Sequence, residues 1–169
     1  MTTLQAHADG RHKFRLLSLI VSLLITQGIA ATASLFTISQ IPSWYRTLNK
    51  PSFNPPNWLF GPVWTVLYIM IAIAAYMVWQ RRVGNPLFSK ARISYFVQLL
   101  LNFSWSAVFF GMHQIVGGLV VIALLIVSIV INIYYFSKFS KAAAWLLVPY
   151  LLWVSFASVL NLYIYLLNR

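Results

Sequence analysis

Five long apolar stretches constrain this chain more than any other feature: approximately Leu16 to Ile38, Gly61 to Trp79, Ile93 to Gly111, Ile115 to Phe136 and Ala144 to Leu167. Each is near the ~20 residues a helix needs to cross the hydrocarbon of a bilayer. An unpaired backbone amide in lipid costs several kcal/mol, so every stretch must close its own hydrogen bonds as a helix or join a closed barrel. The runs are continuous, without the alternation of a barrel strand, and helices follow. With 61% hydrophobic and 8% charged residues, the balance of the chain agrees. The expected fold is an all-α membrane protein, a bundle of five transmembrane helices forming one domain over residues 16–169. Residues 1–15 form a polar, basic tail with no apolar pattern, expected to be mobile.

The net charge of +11 would suggest nucleic acid in a soluble protein, but its placement points elsewhere. Arg11, Lys13 and Arg15 precede the first helix, Arg81, Arg82, Lys90 and Arg92 lie between the second and third, and Lys138 and Lys141 join the fourth and fifth. All of these fall on one side. The other side carries Arg46, Lys50 and Arg169. The positive-inside rule then puts the N-terminus in the cytoplasm, and the bias fits insertion into a bacterial inner membrane. Membrane lipids with anionic headgroups are the expected partners of the basic side, and nucleic acid is not. The first helix has a basic flank and an Ala31-Thr32-Ala33 sequence like a signal cleavage site, yet its apolar run exceeds the usual signal core, so retention is expected.

The longest connection, Ser39 to Phe60, exceeds the usual ~2–8 residues between helices. Pro51, Pro55 and Pro56 stiffen it, and Trp44, Tyr45, Phe53, Trp58 and Phe60 give it apolar weight. Such a loop is expected to fold down on the bundle as a lid. Pro62 suits the first turn of the helix that follows. In the first helix, Gly28, Ala30, Ala31 and Ala33 permit close approach of another helix, either within the monomer or across a dimer contact.

Polar and aromatic residues line up along three helices. Gln98, Asn102, Trp105 and Phe109 share one face of the third, Tyr150, Trp153, Ala157 and Asn161 one face of the fifth, and Trp64 and Tyr68 lie one turn apart on the second. An amide in hydrocarbon needs a partner, so these faces should look inward. They suit a cavity for a flat, mostly apolar ligand, and equally they suit helix packing with amides as interhelical contacts. No carboxylate lies in any stretch, which argues against a carboxylate-driven pump. His113 has no carboxylate to orient it as a base, and no grouping has metal-ligand spacing, so neither hydrolysis nor a metal site is indicated. The chain has no cysteine.

Three motifs carry a resemblance: WYRTLNKPSFNPPNWLFGPVWTVLY at Trp44 to Tyr68, QLLLNFSWSAVFFGMHQ at Gln98 to Gln114, and VPYLLWVSFASVLN at Val148 to Asn161. With them the chain resembles the tryptophan-rich sensory protein and translocator protein family, also called the peripheral benzodiazepine receptor family, and its bacterial members in particular. The resemblance implies a five-helix bundle, usually a homodimer, that binds porphyrins such as protoporphyrin or haem as ligand, with no cofactor required, in a cavity beneath the loop joining the first two helices. It implies a sensor or receptor that regulates tetrapyrrole metabolism or stress responses, with light- and oxygen-dependent porphyrin breakdown or transport of porphyrin or sterol-like cargo as alternatives. By motif, Trp64, Asn102 and Trp153 would line the cavity, with Tyr68, Trp105, Phe109, Tyr150, Ala157 and Leu160 beside them. Trp44, Pro51, Pro55, Pro56 and Trp58 match the family's loop and would form the lid. Were porphyrin degraded, Trp64 and Trp153 would be the pair involved. Leu160, Tyr163 and Arg169 also meet the loose spacing proposed for sterol contact, a pattern that arises readily at the end of an apolar helix.

Overall fold

A computed structural model describes residues 14–169, so most of the basic tail lies outside the described residues. Seven α-helices follow in order: α1 (Leu16–Ile38), α2 (Trp44–Thr47), α3 (Asn57–Gln80), α4 (Phe88–Ser106), α5 (Ile115–Ser137), α6 (Lys141–Leu146) and α7 (Val148–Leu167). A π-helical turn, Ala107–Gly111, continues α4. Five spans are long and apolar enough to cross a membrane: α1, α3, α4 with its π turn, α5, and α6 with α7. There is no strand among the described residues.

Several boundaries differ from the sequence expectation, each for a local reason. α3 begins at Asn57 rather than Gly61 because Pro56, with φ −58°, is already set for a helix entrance, and Leu59 N donates to Pro56 O at 3.0 Å. Trp58 and Phe60 therefore belong to the helix, and Pro62 lies inside it rather than at its first position. α4 begins at Phe88 rather than Ile93, with Lys90 and Arg92 inside its first turns instead of in the link. Long basic side chains can run their stems along apolar surface and leave the charge in water, so charge alone did not mark this end. The link itself turns at Gly84, whose φ of 72° suits glycine, and Asn85 Oδ1 accepts from Leu87 N at 2.9 Å.

The last span starts at Lys141 rather than Ala144, with the Ser140 hydroxyl accepting from Ala143 N at 3.3 Å. It breaks at Leu147. Pro149 follows in the first turn of α7, where its missing N–H would otherwise have continued the ladder.

The helices pack with α1 against both α3 and α4, α4 against α5, α5 against α7, and α6 against α3 and α5. α3 and α4 touch each other little, and α1 covers the seam between them. Polar contacts between helices fix that cover: Ser22 Oγ donates to Ala72 O at 2.7 Å, and the Thr26 and Tyr95 hydroxyls are 2.7 Å apart. On the other side Asn132 Nδ2 of α5 donates to Ser94 Oγ of α4 at 2.8 Å. Close packing of α5 depends on Gly118, where a Cβ would come within 2.9 Å of the Phe109 ring and 3.0 Å of Asn161 Nδ2.

Candidate functional site

The long loop is a strap with its own structure rather than an open connector. Its chain folds into the short helix α2, whose Tyr45 is buried, donates its hydroxyl to Asn54 Oδ1 at 2.7 Å and packs on Phe110 at 5.7 Å. Burial pushes the Tyr45 hydroxyl up to about 12. Lys50 donates to the carbonyls of Tyr45 and Leu48 at 2.9 and 2.7 Å, closing the end of α2, and burial pulls its pKa down. Trp44 stacks on His113 at 4.4 Å and meets Phe109 edge-on at 5.4 Å. His113 occupies the left-handed region, φ 56°, in the turn between α4 and α5, and its Nε2 lies 2.9 Å from Gln40 Oε1. The far half of the strap is tied to α7: Phe53 packs on Phe156 and Tyr163, and the Asn168 side chain pairs with the Asn49 backbone.

Beneath this end, the seam between α3 and α4 opens into a cavity of about 370 Å³. α1 supplies its small wall, Ala30, Ala31, Ala33 and Ser34 among others, so within one chain the small-residue stretch borders this cavity. α3 supplies Gly61, Trp64, Thr65 and Tyr68, α4 supplies Asn102, Trp105, Ser106 and Phe110, and Ile41 and Phe60 close the top. The aromatic side is continuous: the Trp64 ring lies 5.7 Å from Tyr68, 6.5 Å from Trp105 and 6.2 Å from Tyr150.

One polar chain orders that wall. Tyr68 Oη donates to Asn102 Oδ1 at 2.6 Å, and Asn102 Nδ2 donates to Tyr150 Oη at 2.9 Å, tying α3, α4 and α7 together. Trp105 is buried, and its Nε1–H has no partner. A buried donor left unpaired is costly, so a ligand that presents an acceptor there gains a hydrogen bond without first breaking one.

The residues expected at the site divide. Trp64, Tyr68, Asn102 and Trp105 line this cavity. Gln98 and Phe109 do not: Gln98 is fully buried lower on α4, and Phe109 stacks under Trp105 at 5.7 Å as support. The α7 stripe also lies off the cavity. Tyr150 does not line it and meets its wall through Asn102 and the Trp64 ring, Ala157 and Leu160 are buried in the core, and the Trp153 ring packs on Phe60 and Phe156 at 6.1 and 5.7 Å. The cavity is bounded by α1, α3 and α4 instead of α3, α4 and α7, because α7 spends its inner face on α5. None of the expected lid residues lines it. Trp44 braces the end of α4, Pro51, Pro55 and Pro56 shape the strap, and Trp58 is 72% exposed on α3. Leu160 is buried while Tyr163 is exposed beside Phe53, so the sterol spacing does not form one surface.

Sequence reasoning missed the α1 wall, Ile41 and Phe110. The small residues were visible as a signal, but they fit cavity and contact alike. Phe110 follows from the π turn: Met112 N donates to Ala107 O at 2.8 Å, a five-residue step, and the wider turn lets Phe109 and Phe110 both point inward.

A five-helix membrane bundle, with an aromatic cavity under a proline- and tryptophan-rich strap, is the class of protein that this fold and site define. The chain belongs to the TspO/MBR family, whose model matches residues 20–167. It is 44% identical over 153 residues to the tryptophan-rich protein TspO of Archaeoglobus fulgidus, covering 90% of this chain and 98% of that one. It is 46% identical over 159 residues to the TspO of Chlorobaculum tepidum, covering 90% and 95%. The human translocator protein is 38% identical over 121 residues, 70% of each chain.

Proposed function

We propose that this protein is a membrane receptor that takes a porphyrin, or a flat apolar molecule of similar shape, into the loop-end cavity and so reports on tetrapyrrole metabolism or stress. The observation that carries this reading is the wall formed by Trp64, Tyr68 and Trp105, together with a Trp105 N–H that has no partner within the protein. Indole and phenol faces stack on a flat π-system, and sparse donors orient it. At about 370 Å³ the cavity is at the small end of the ~300–1,000 Å³ usual for ligand sites, which suits insertion of one edge of a macrocycle. No cation lines it, so ionised carboxylates of a porphyrin remain outside the mouth. The lining residues also include no histidine, cysteine or methionine to hold iron.

In this reading the basic end faces the cytoplasm and the strap faces outward, following the charge bias. Tryptophan fluorescence, quenched by protoporphyrin and by haem in parallel titrations, tests the site. Both are expected to bind with the same affinity within error, and Trp105→Phe is expected to weaken both by about 0.5–1.5 kcal/mol, the usual net worth of one hydrogen bond. Absence of saturable quenching by either porphyrin, or a strong preference for the iron form, would overturn it.

A further inference from the structure

The seam between α3 and α4 opens a second time, at the basic end, into a groove of about 400 Å³. Leu17, Val21 and Ile25 of α1 form one side, Ala75 of α3 and Phe96 of α4 the other, and Phe136 of α5 also borders it. Leu17 and Ile25 are eight residues apart, so the groove runs about 12 Å along the helix at 1.5 Å per residue. Its mouth has a different character. Arg92 and Trp79 line it, with the Arg82 guanidinium 3.7 Å and the Arg15 guanidinium 5.8 Å from the centre of the Trp79 ring. Arg15 and Arg82 thus share the Trp79 ring, while Arg92 lies over the Phe88 ring of the same groove, 6.0 Å from its centre, each in reach of cation–π attraction. No side-chain carboxylate exists among the described residues to neutralise them, since Asp9 is the only acidic residue in the sequence.

We propose that this groove holds one acyl chain of an acidic phospholipid, with the lipid phosphate among Arg15, Arg82 and Arg92. Charge decides between occupants. A zwitterionic lipid brings its own ammonium to a cluster that is already cationic, and a second copy of this chain brings more arginine. A free phosphate satisfies the arginines and leaves the apolar walls uncovered. A diacyl lipid with net negative charge matches both halves of the site, and basic pockets between membrane helices are known to recognise such headgroups.

The chain has no cysteine, so a fluorophore can be placed at one position without removing others. Val21→Cys places it in the groove, and Ile131→Cys on the lipid-exposed surface of α5 serves as reference. The labelled full chain is reconstituted in phosphatidylcholine vesicles with small fractions of brominated phosphatidylglycerol or brominated phosphatidylcholine. Phosphatidylglycerol is expected to quench the Val21→Cys label at several-fold lower mole fraction than phosphatidylcholine, and the two are expected to be equal at Ile131→Cys. Adding Arg15→Gln and Arg92→Gln to Val21→Cys should equalise them. Ser18→Phe, which fills the groove and leaves every arginine in place, should do the same. Equal quenching by both lipids at Val21→Cys, or a preference that survives either change, overturns the proposal. So does release of the quencher by inorganic phosphate, which would mark a simple anion site, or by protoporphyrin, which would mark a second porphyrin site.

Discussion

The loop-end cavity and the basic-end groove are built on the same three helices, α1, α3 and α4, yet they offer opposite chemistry. At the loop end α1 contributes alanine and serine, while α3 and α4 contribute indole, phenol and amide, so polar groups lie deep in the wall. At the basic end α1 contributes leucine, valine and isoleucine, the walls are largely hydrocarbon, and charge is confined to the mouth. In the functions proposed for them, the first takes in one edge of a flat molecule, and the second takes a chain whose head stays in water. Between them Thr26, Ile71, Ala72, Gln98 and Leu99 are at most 1% exposed and close the seam completely. What a membrane cavity can bind is thus set turn by turn along a helix, and one seam can serve two ligands if a packed layer divides it.

The strongest way to break that division is to hollow the layer. Leu99→Ala removes a fully buried side chain and is expected to cost about 2–5 kcal/mol, seen as a lower midpoint of thermal unfolding in detergent. An unchanged midpoint would mean that the two ends are not separated by a tight barrier. A smaller effect is expected from Tyr68→Phe, which leaves Asn102 Oδ1 buried without its donor, at about 1–3 kcal/mol of stability. It should also weaken protoporphyrin binding at the loop end while leaving the lipid preference at the other end alone. Loss of both together would tie the sites into one.

The smallest effect concerns the strap. The Tyr45 hydroxyl donates to Asn54 and is pushed up from 10.0 to about 12 by burial, so its folded pKa is the higher one. A raised acid contributes stability that is complete below pH 10.0 and is lost as pH rises toward 12. Proteolysis within residues 49–56 should therefore quicken across that window, and Tyr45→Phe should flatten the dependence. A strap equally protected at both ends of the window would show that Tyr45 does not hold it.

Much of this was legible beforehand, and the limits were physical. Five apolar runs of spanning length left helices as the only solution, and the motif residues Trp64, Tyr68, Asn102 and Trp105 do meet at one cavity. The periodicity of α7 was also read correctly, since Tyr150 and Ala157 face inward. Periodicity says which face is buried and not against what, and α7 turned out to bury that face largely on α5, where Gly118 lets Asn161 come close. The strap's tryptophans suffered the same ambiguity: Trp44 supports the end of α4 and Trp58 faces outward from α3, although both carry the same motif. The π turn at Ala107–Gly111 was beyond reach because it follows from burying two neighbouring phenylalanines at once, a matter of packing rather than of composition.

The most direct test fills one end of the seam at a time. Ala30→Phe obstructs the loop-end cavity and Ser18→Phe the basic-end groove, and protoporphyrin is titrated into each while tryptophan emission is followed. Quenching is expected to be lost or shifted at least tenfold in Ala30→Phe, about 1.4 kcal/mol of affinity, and to match the native chain in Ser18→Phe. Native quenching in Ala30→Phe, or its loss in Ser18→Phe, would contradict a porphyrin site at the loop end.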